Sequence, residues 1–204
     1  MEETETRTRM KNMAENAFLG SGKVKISSVA TTFKMSFRDY NPGRIVNQQV
    51  LTQMVQAMKS GRCFAESNPL IVAIDPKDIN TELLVDKYKS LSDLRSIRSI
   101  AGHQVKMHVL NGMHRAYAAR EVSDILRGFR SEQEGLVIRH HEFLDEEDVT
   151  DRAQVEKDLA ILEKWLAVVK DVIELVETWP VNVYDKSESG PSRSRFSSTE
   201  AIER

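Results

Sequence analysis

The sequence predicts an α+β (mixed α/β) fold, and four patterns in it carry that expectation. Leu70 to Ile74 is a continuous apolar run of strand length, and Gln104 to Leu110 alternates apolar and polar residues with the period of a half-buried strand. Val50, Leu51, Met54, Val55 and Met58 recur at helical spacing. A longer helical stripe runs from about Asp151 to Thr178 through Val155, Leu159, Leu162, Leu166, Val169, Val172, Ile173 and Val176.

Taken in order, Met1 to Gly22 is polar and aperiodic, which predicts a flexible N-terminal segment. Lys23 to Val29, with Val24, Ile26 and Val29 among small and polar residues, reads as a first strand. Asp39-Tyr40-Asn41-Pro42-Gly43-Arg44 reads as a turn, because proline fixes one dihedral and glycine accepts positive ones. The helix that follows is capped by Asn47 and ends near Ser60-Gly61. Asn68-Pro69 leads into the strand Leu70 to Ile74, which Asp75-Pro76 closes. Ile79 to Ile100 carries a loose stripe of Leu83, Leu84, Tyr88, Leu91, Leu94 and Ile97 and is expected to hold one or two helices.

Gln104 to Leu110 runs directly into Asn111-Gly112, after which Ala118, Ala119, Val122, Ile125 and Leu126 mark the inner face of a helix expected to stop at Gly128. Gly135 to Glu142 reads as a short strand or a loop, and the acidic run Asp145 to Asp148 precedes the long helix. Acidic residues there complement the positive end of a helix dipole and lack the spacing of a calcium loop. Pro180 ends the helix, Val181 to Tyr184 returns as a strand, and Lys186 to Arg204 is a Ser- and Arg-rich tail expected to be disordered. The organisation is thus one domain over 23–185, with a helical insertion at about 131–180.

Composition narrows the function. The chain has 204 residues, 40% hydrophobic and 29% charged, as expected of one globular domain. The formal net charge of −2 supplies no general basic field, so DNA binding by this chain alone is not expected. The lone Cys63 excludes an internal disulfide and a cysteine-based zinc cluster. No apolar run approaches the roughly 20 residues of a membrane span, and Met1 to Asn16 lacks a secretory apolar stretch, so an intracellular location and no membrane partner are expected.

The chemistry points to Asn111-Gly112-Met113-His114-Arg115. A helix beginning directly after a tight turn presents backbone amides with partial positive charge, which suits phosphate. Gly112 lets a ligand approach closely, Arg115 supplies a bidentate cationic clamp, and His114 can donate a hydrogen bond or move a proton near neutral pH. As bare residues, the same turn also fits a plain helix start with Arg115 on a solvated face.

The order of these motifs resembles that of the ParB and sulfiredoxin superfamily. The residues concerned are Asn41-Pro42-Gly43-Arg44, the helix from Val50 to Gly61, Pro69-Leu70-Ile71-Val72, and Gly112-Met113-His114-Arg115-Ala116. The resemblance covers about Lys23 to Gly128, with Val181 to Tyr184 as a final strand, and implies a small mixed sheet with flanking helices. It also implies that Gly112, Met113, His114 and Arg115 hold nucleotide phosphates, with Arg44 as an additional contact. The ligand implied is ATP or another nucleoside triphosphate with magnesium, or a phosphorylated small molecule. Two departures matter. Met113 stands where sulfiredoxin-like members carry the nucleophilic cysteine, and a thioether cannot form a thiolate, which rules out sulfinic-acid reduction by that route. No helix-turn-helix follows Gly128, unlike in the chromosome-partitioning members.

Other candidates have plainer readings. His140-His141-Glu142, even with His103 and His108, is not expected to form a metal site, and His108 is placed on the polar face of its strand. Tyr117 and Arg120 lie one turn beyond the motif, where they could line a pocket or pack. The long helix of about 28 residues exceeds the usual globular length, so part of 151–178 is expected to meet a protein partner or a second copy. Two functions are therefore expected: nucleotide or phosphate binding with phosphoryl transfer, in which His114 is the acid/base candidate, or a non-catalytic interaction domain that retains the fold.

Overall fold

Runs of branched and alternating apolar residues make strands here, and five such strands form a single sheet in the order β1-β5-β3-β4-β2. They are β1 (Phe18–Lys25), β2 (Phe33–Ser36), β3 (Leu70–Ile74), β4 (Val105–Asn111) and β5 (Thr178–Asp185). The computed structural model describes residues 14–26, 33–36, 45–61, 65, 67–145 and 151–187. β1 and β5 pair antiparallel, β5 and β3 parallel, β3 and β4 antiparallel, and β4 and β2 parallel, so the sheet is mixed. Three long helices accompany it among the described residues: α1 (Gln48–Lys59), α2 (Met113–Leu144) and α3 (Arg152–Glu177). The fold is α+β. None of the helices among the described residues is long and apolar enough to cross a membrane.

The core lies on one face of the central strands. Leu70, Val72, Ile74, Val105, Met107, Val109, Val181 and Val183 are buried there with Trp179, and Ala116 and Ala119 of α2 pack against them. Small alanines let the helix axis approach the sheet closely. A second cluster joins Leu51 and Val55 of α1 to Ala118 and Val122 of α2. The pairing fits a side-by-side, parallel arrangement in which both helices start at the same end.

Several expectations need correction. β1 begins at Phe18, so residues 18–22 belong to the sheet, and Ala14 to Ala17 are helical, in place of a flexible segment to Gly22. Two glycines and a serine hide this strand from propensity, but its pairing with β5 from Phe18↔Tyr184 to Lys25↔Thr178 holds it extended. Val29 lies outside the described residues, as do Asn41 to Arg44, Cys63 and 188–204.

The stretch from Ile79 to Ile100 is not helical: it holds short 3₁₀ turns, Thr81–Leu83 and Leu91–Asp93, after a first at Pro76–Asp78. Its backbone instead serves the outer edge of β1. Ser21 exchanges bonds with Val85 at 2.7 and 2.9 Å, Lys23 N–H reaches Arg95 O at 3.0 Å, and Ile97 N–H reaches Lys23 O at 3.0 Å. An edge strand left open would have exposed those amides, and covering it outweighs weak helical spacing.

α2 does not stop at Gly128 but continues to Leu144, so Gly135 to Glu142 is helix, not strand or loop. Gly128 has no positive φ and ends nothing; an interior glycine costs about 1 kcal/mol and is carried by the rest of the helix. α2 and α3 form an antiparallel hairpin, since Arg127 meets Glu177 while His141 meets Glu163. At 1.5 Å per residue the helices are about 48 and 39 Å long. Pro180, expected only to end α3, lies within β5, which starts directly at Thr178.

Candidate functional site

The turn between β4 and α2 is a single residue. Gly112 has φ +94° in the left-handed region, and an added Cβ would stand 2.4 Å from Leu70 Cδ2. Both facts favour glycine: one because L side chains disfavour that conformation, the other because the fully buried Leu70 methyl would have to move aside. Asn111 Oδ1 accepts the Gly112 N–H at 2.7 Å, and the first bond within α2 is Ala116 N–H to Gly112 O at 3.0 Å. The amides of Met113 and His114 thus stand in the first helical turn, ahead of any intrahelical partner.

His114 Nε2 accepts the backbone N–H of Asn47 at 2.9 Å, which leaves Nδ1 as the protonated nitrogen of a neutral ring. Asn47 in turn caps α1, its side chain accepting Val50 N–H at 3.1 Å. The capping residue was legible from sequence; its tie to His114 was not. As a result, the N-terminus of α1 lies beside the first turn of α2, and the positive ends of the two dipoles are neighbours.

Arg115 bends back under the turn. Its Nη1 donates to Asn68 O at 2.6 Å and to Pro69 O at 3.3 Å, fastening α2 to the residues that lead into β3. The guanidinium lies close to Gly112, 3.4 Å from where a Cβ would stand. The cation is therefore at the turn, with part of its donor set given to backbone carbonyls. Met113 is buried and packs inward. Tyr117 packs against the cluster shared by α1 and α2, and Arg120 is half-buried. Arg44 lies outside the described residues, three positions before Asn47 in sequence.

The histidine expectations fare differently. His108 is buried beside Ala73 of β3, not displayed on a polar surface, because both faces of this part of the sheet are covered. His140 and His141 are helical; His140 Nδ1 bonds Leu136 O at 2.8 Å, and His141 stands 3.6 Å from Glu163. Among the described residues no group of three or more His, Cys, Asp or Glu is placed to hold a metal.

Sequence reading missed a buried polar cluster. Glu177, 1% exposed at the end of α3, accepts from Arg127 Nε and Nη2, each at 2.9 Å, and from the Ser123 hydroxyl. The only signal was a carboxylate one turn after Ile173 on the apolar stripe of the long helix.

Fold and site together define an α+β domain with a glycine-led helix start braced by a histidine and an arginine. No protein-family model, no curated protein and no solved structure matches this chain.

Proposed function

We propose that this protein binds the phosphate of a nucleotide or phosphorylated small molecule at the turn Gly112 to Arg115. The observation that carries the reading is the meeting of two helix N-termini through the His114–Asn47 bond. Like ends of two parallel dipoles repel, and an anion between them relieves that repulsion while accepting first-turn amide bonds. Arg115 adds fixed positive charge at the turn. The motif order that resembles the ParB and sulfiredoxin superfamily supports the same ligand class, a nucleoside triphosphate such as ATP with magnesium, and supports Arg44 as a further contact.

Binding is favoured over phosphoryl transfer. The Nε2 lone pair of His114 is already occupied by Asn47 N–H, so His114 acts as a donor through Nδ1 rather than as a base. Amide NMR spectra recorded with inorganic phosphate, ATP or CTP, with and without magnesium, test the reading. Shifts should concentrate at Met113, His114 and the first turn of α1. Unchanged spectra with all ligands would leave the turn as a structural brace and favour the interaction-domain function. Arg115→Lys keeps the charge but loses the planar fork, and should weaken binding about 10-fold.

A further inference from the structure

Beyond its base, where Lys25 of β1 meets Glu174 and where Asp171 and Leu175 border a cleft against β1 and Phe33, the hairpin of α2 and α3 is a single layer of two helices. No residue of α2 beyond Ser123 is fully buried, and the buried residues of α3 other than Glu177 are Leu159, Val169 and Ile173. Those three, with Val155, Leu162, Leu166 and Val176, form a seam spaced four and three residues apart, the spacing that faces a partner helix. A second set keeps the same spacing: Ile161, Trp165, Val168, Val172 and Leu175 follow one another at intervals of four, three, four and three. All five are exposed, Trp165 by 60% and Leu175 by 66%. A solvated helix face has no reason to repeat apolar residues in this way.

We propose that this second seam is a homodimer interface, in which α3 packs antiparallel against α3 of another copy around a twofold axis midway between Trp165 and Val168. Charge complementarity chooses the occupant and its direction. Lys164 and Asp171 flank the seam on one side, an interval of seven residues apart. Placing Trp165 opposite the second copy's Val168 sets Lys164 of each copy against Asp171 of the other, twice by symmetry. The area is sufficient: side chains of this size and exposure offer on the order of 500 Å² per copy, so a pair buries about 1,000 Å² before flanking residues are counted. Two hairpins so joined make a four-helix arrangement, which gives the projecting helices the second layer they lack.

The test is sedimentation of the whole chain over a wide concentration range, with Trp165 emission as a second readout, since Trp179 is already buried. Mass should double as concentration rises, with a blue shift of the emission. Val168→Glu, at a residue 49% exposed in the single chain, should keep helicity and remain monomeric. Lys164→Asp and Asp171→Lys should each weaken association about 10-fold, and the double variant should restore it. A chain that stays monomeric at its solubility limit overturns the proposal. So does a dimer indifferent to Val168→Glu, or one whose charge-swapped double variant gains nothing. A Trp165 that becomes exposed only when residues 188–204 are deleted would assign the seam to the tail and overturn it as well.

Discussion

At Gly112 two constraints coincide, and substitutions can separate them. Asparagine tolerates the left-handed conformation better than alanine does, so if φ alone mattered Gly112→Asn would be the milder change. Because any Cβ meets Leu70 at 2.4 Å, both variants should lose about 2–4 kcal/mol in urea unfolding, with no advantage for asparagine. Pairing Gly112→Asn with Leu70→Ala should then cost less than the sum of the two changes. Asp93 gives a second residue-scale test. The backbone N–H groups of Lys89 and Ser90, each 2.9 Å from its Oδ2, hold its carboxyl below the ordinary value of 3.8. A depressed folded value means that this stabilisation is present above the ordinary carboxylate value and is lost as pH falls through the lower, folded one. Asp93→Asn should therefore flatten that acidic part of the stability profile, measured by denaturant midpoints across pH. Part of this residue-scale detail was legible in advance. Asn47 and Gly112 declare themselves by type, whereas the ties of His114 to Asn47 and of Arg115 to Asn68 join positions 67 and 47 apart, which no local pattern encodes.

Among the elements, the Arg127–Glu177–Ser123 cluster fixes how α3 sits against α2 just before the chain enters β5. Arg127→Ala strands a carboxylate that is 1% exposed and should cost about 3 kcal/mol in denaturant unfolding. That is the low end for a buried pair, because the Arg127 side chain is itself 39% exposed. Replacing both partners, as Arg127→Met with Glu177→Leu, should recover most of the loss. The elements also show which sequence signals held. Leu70–Ile74 is a strand as its unbroken Leu, Ile and Val predict, and α3 ends within one residue of the expected Thr178. Local signals failed where tertiary demand overrode them. Gly128 was outweighed by the hairpin, the Ile79–Ile100 stripe by the need to cover β1, and β2, four residues with the burial of an edge strand, offered too little pattern to be noticed.

For the molecule as a whole, the α+β class was legible because each layer has its own pattern: an unbroken apolar run in β3 and an alternation of two in β4, and a spacing of three and a half in the long helix. The mixed direction of the sheet follows from connections that only the folded chain reveals. β5 is the last strand in sequence and the second in space, between β1 and β3. Ser21 and Asn182, 161 residues apart, share a hydrogen bond across that junction. A ribosome therefore releases β1 long before its strand partner exists. Through most of synthesis β3 also keeps one unpaired edge, open to pairing with other chains. Folding with so large a loop to close should be slow for a protein of this size. The hairpin just ahead of β5 shortens the search, because a helix folded against α2 delivers the final strand to the slot between the other two.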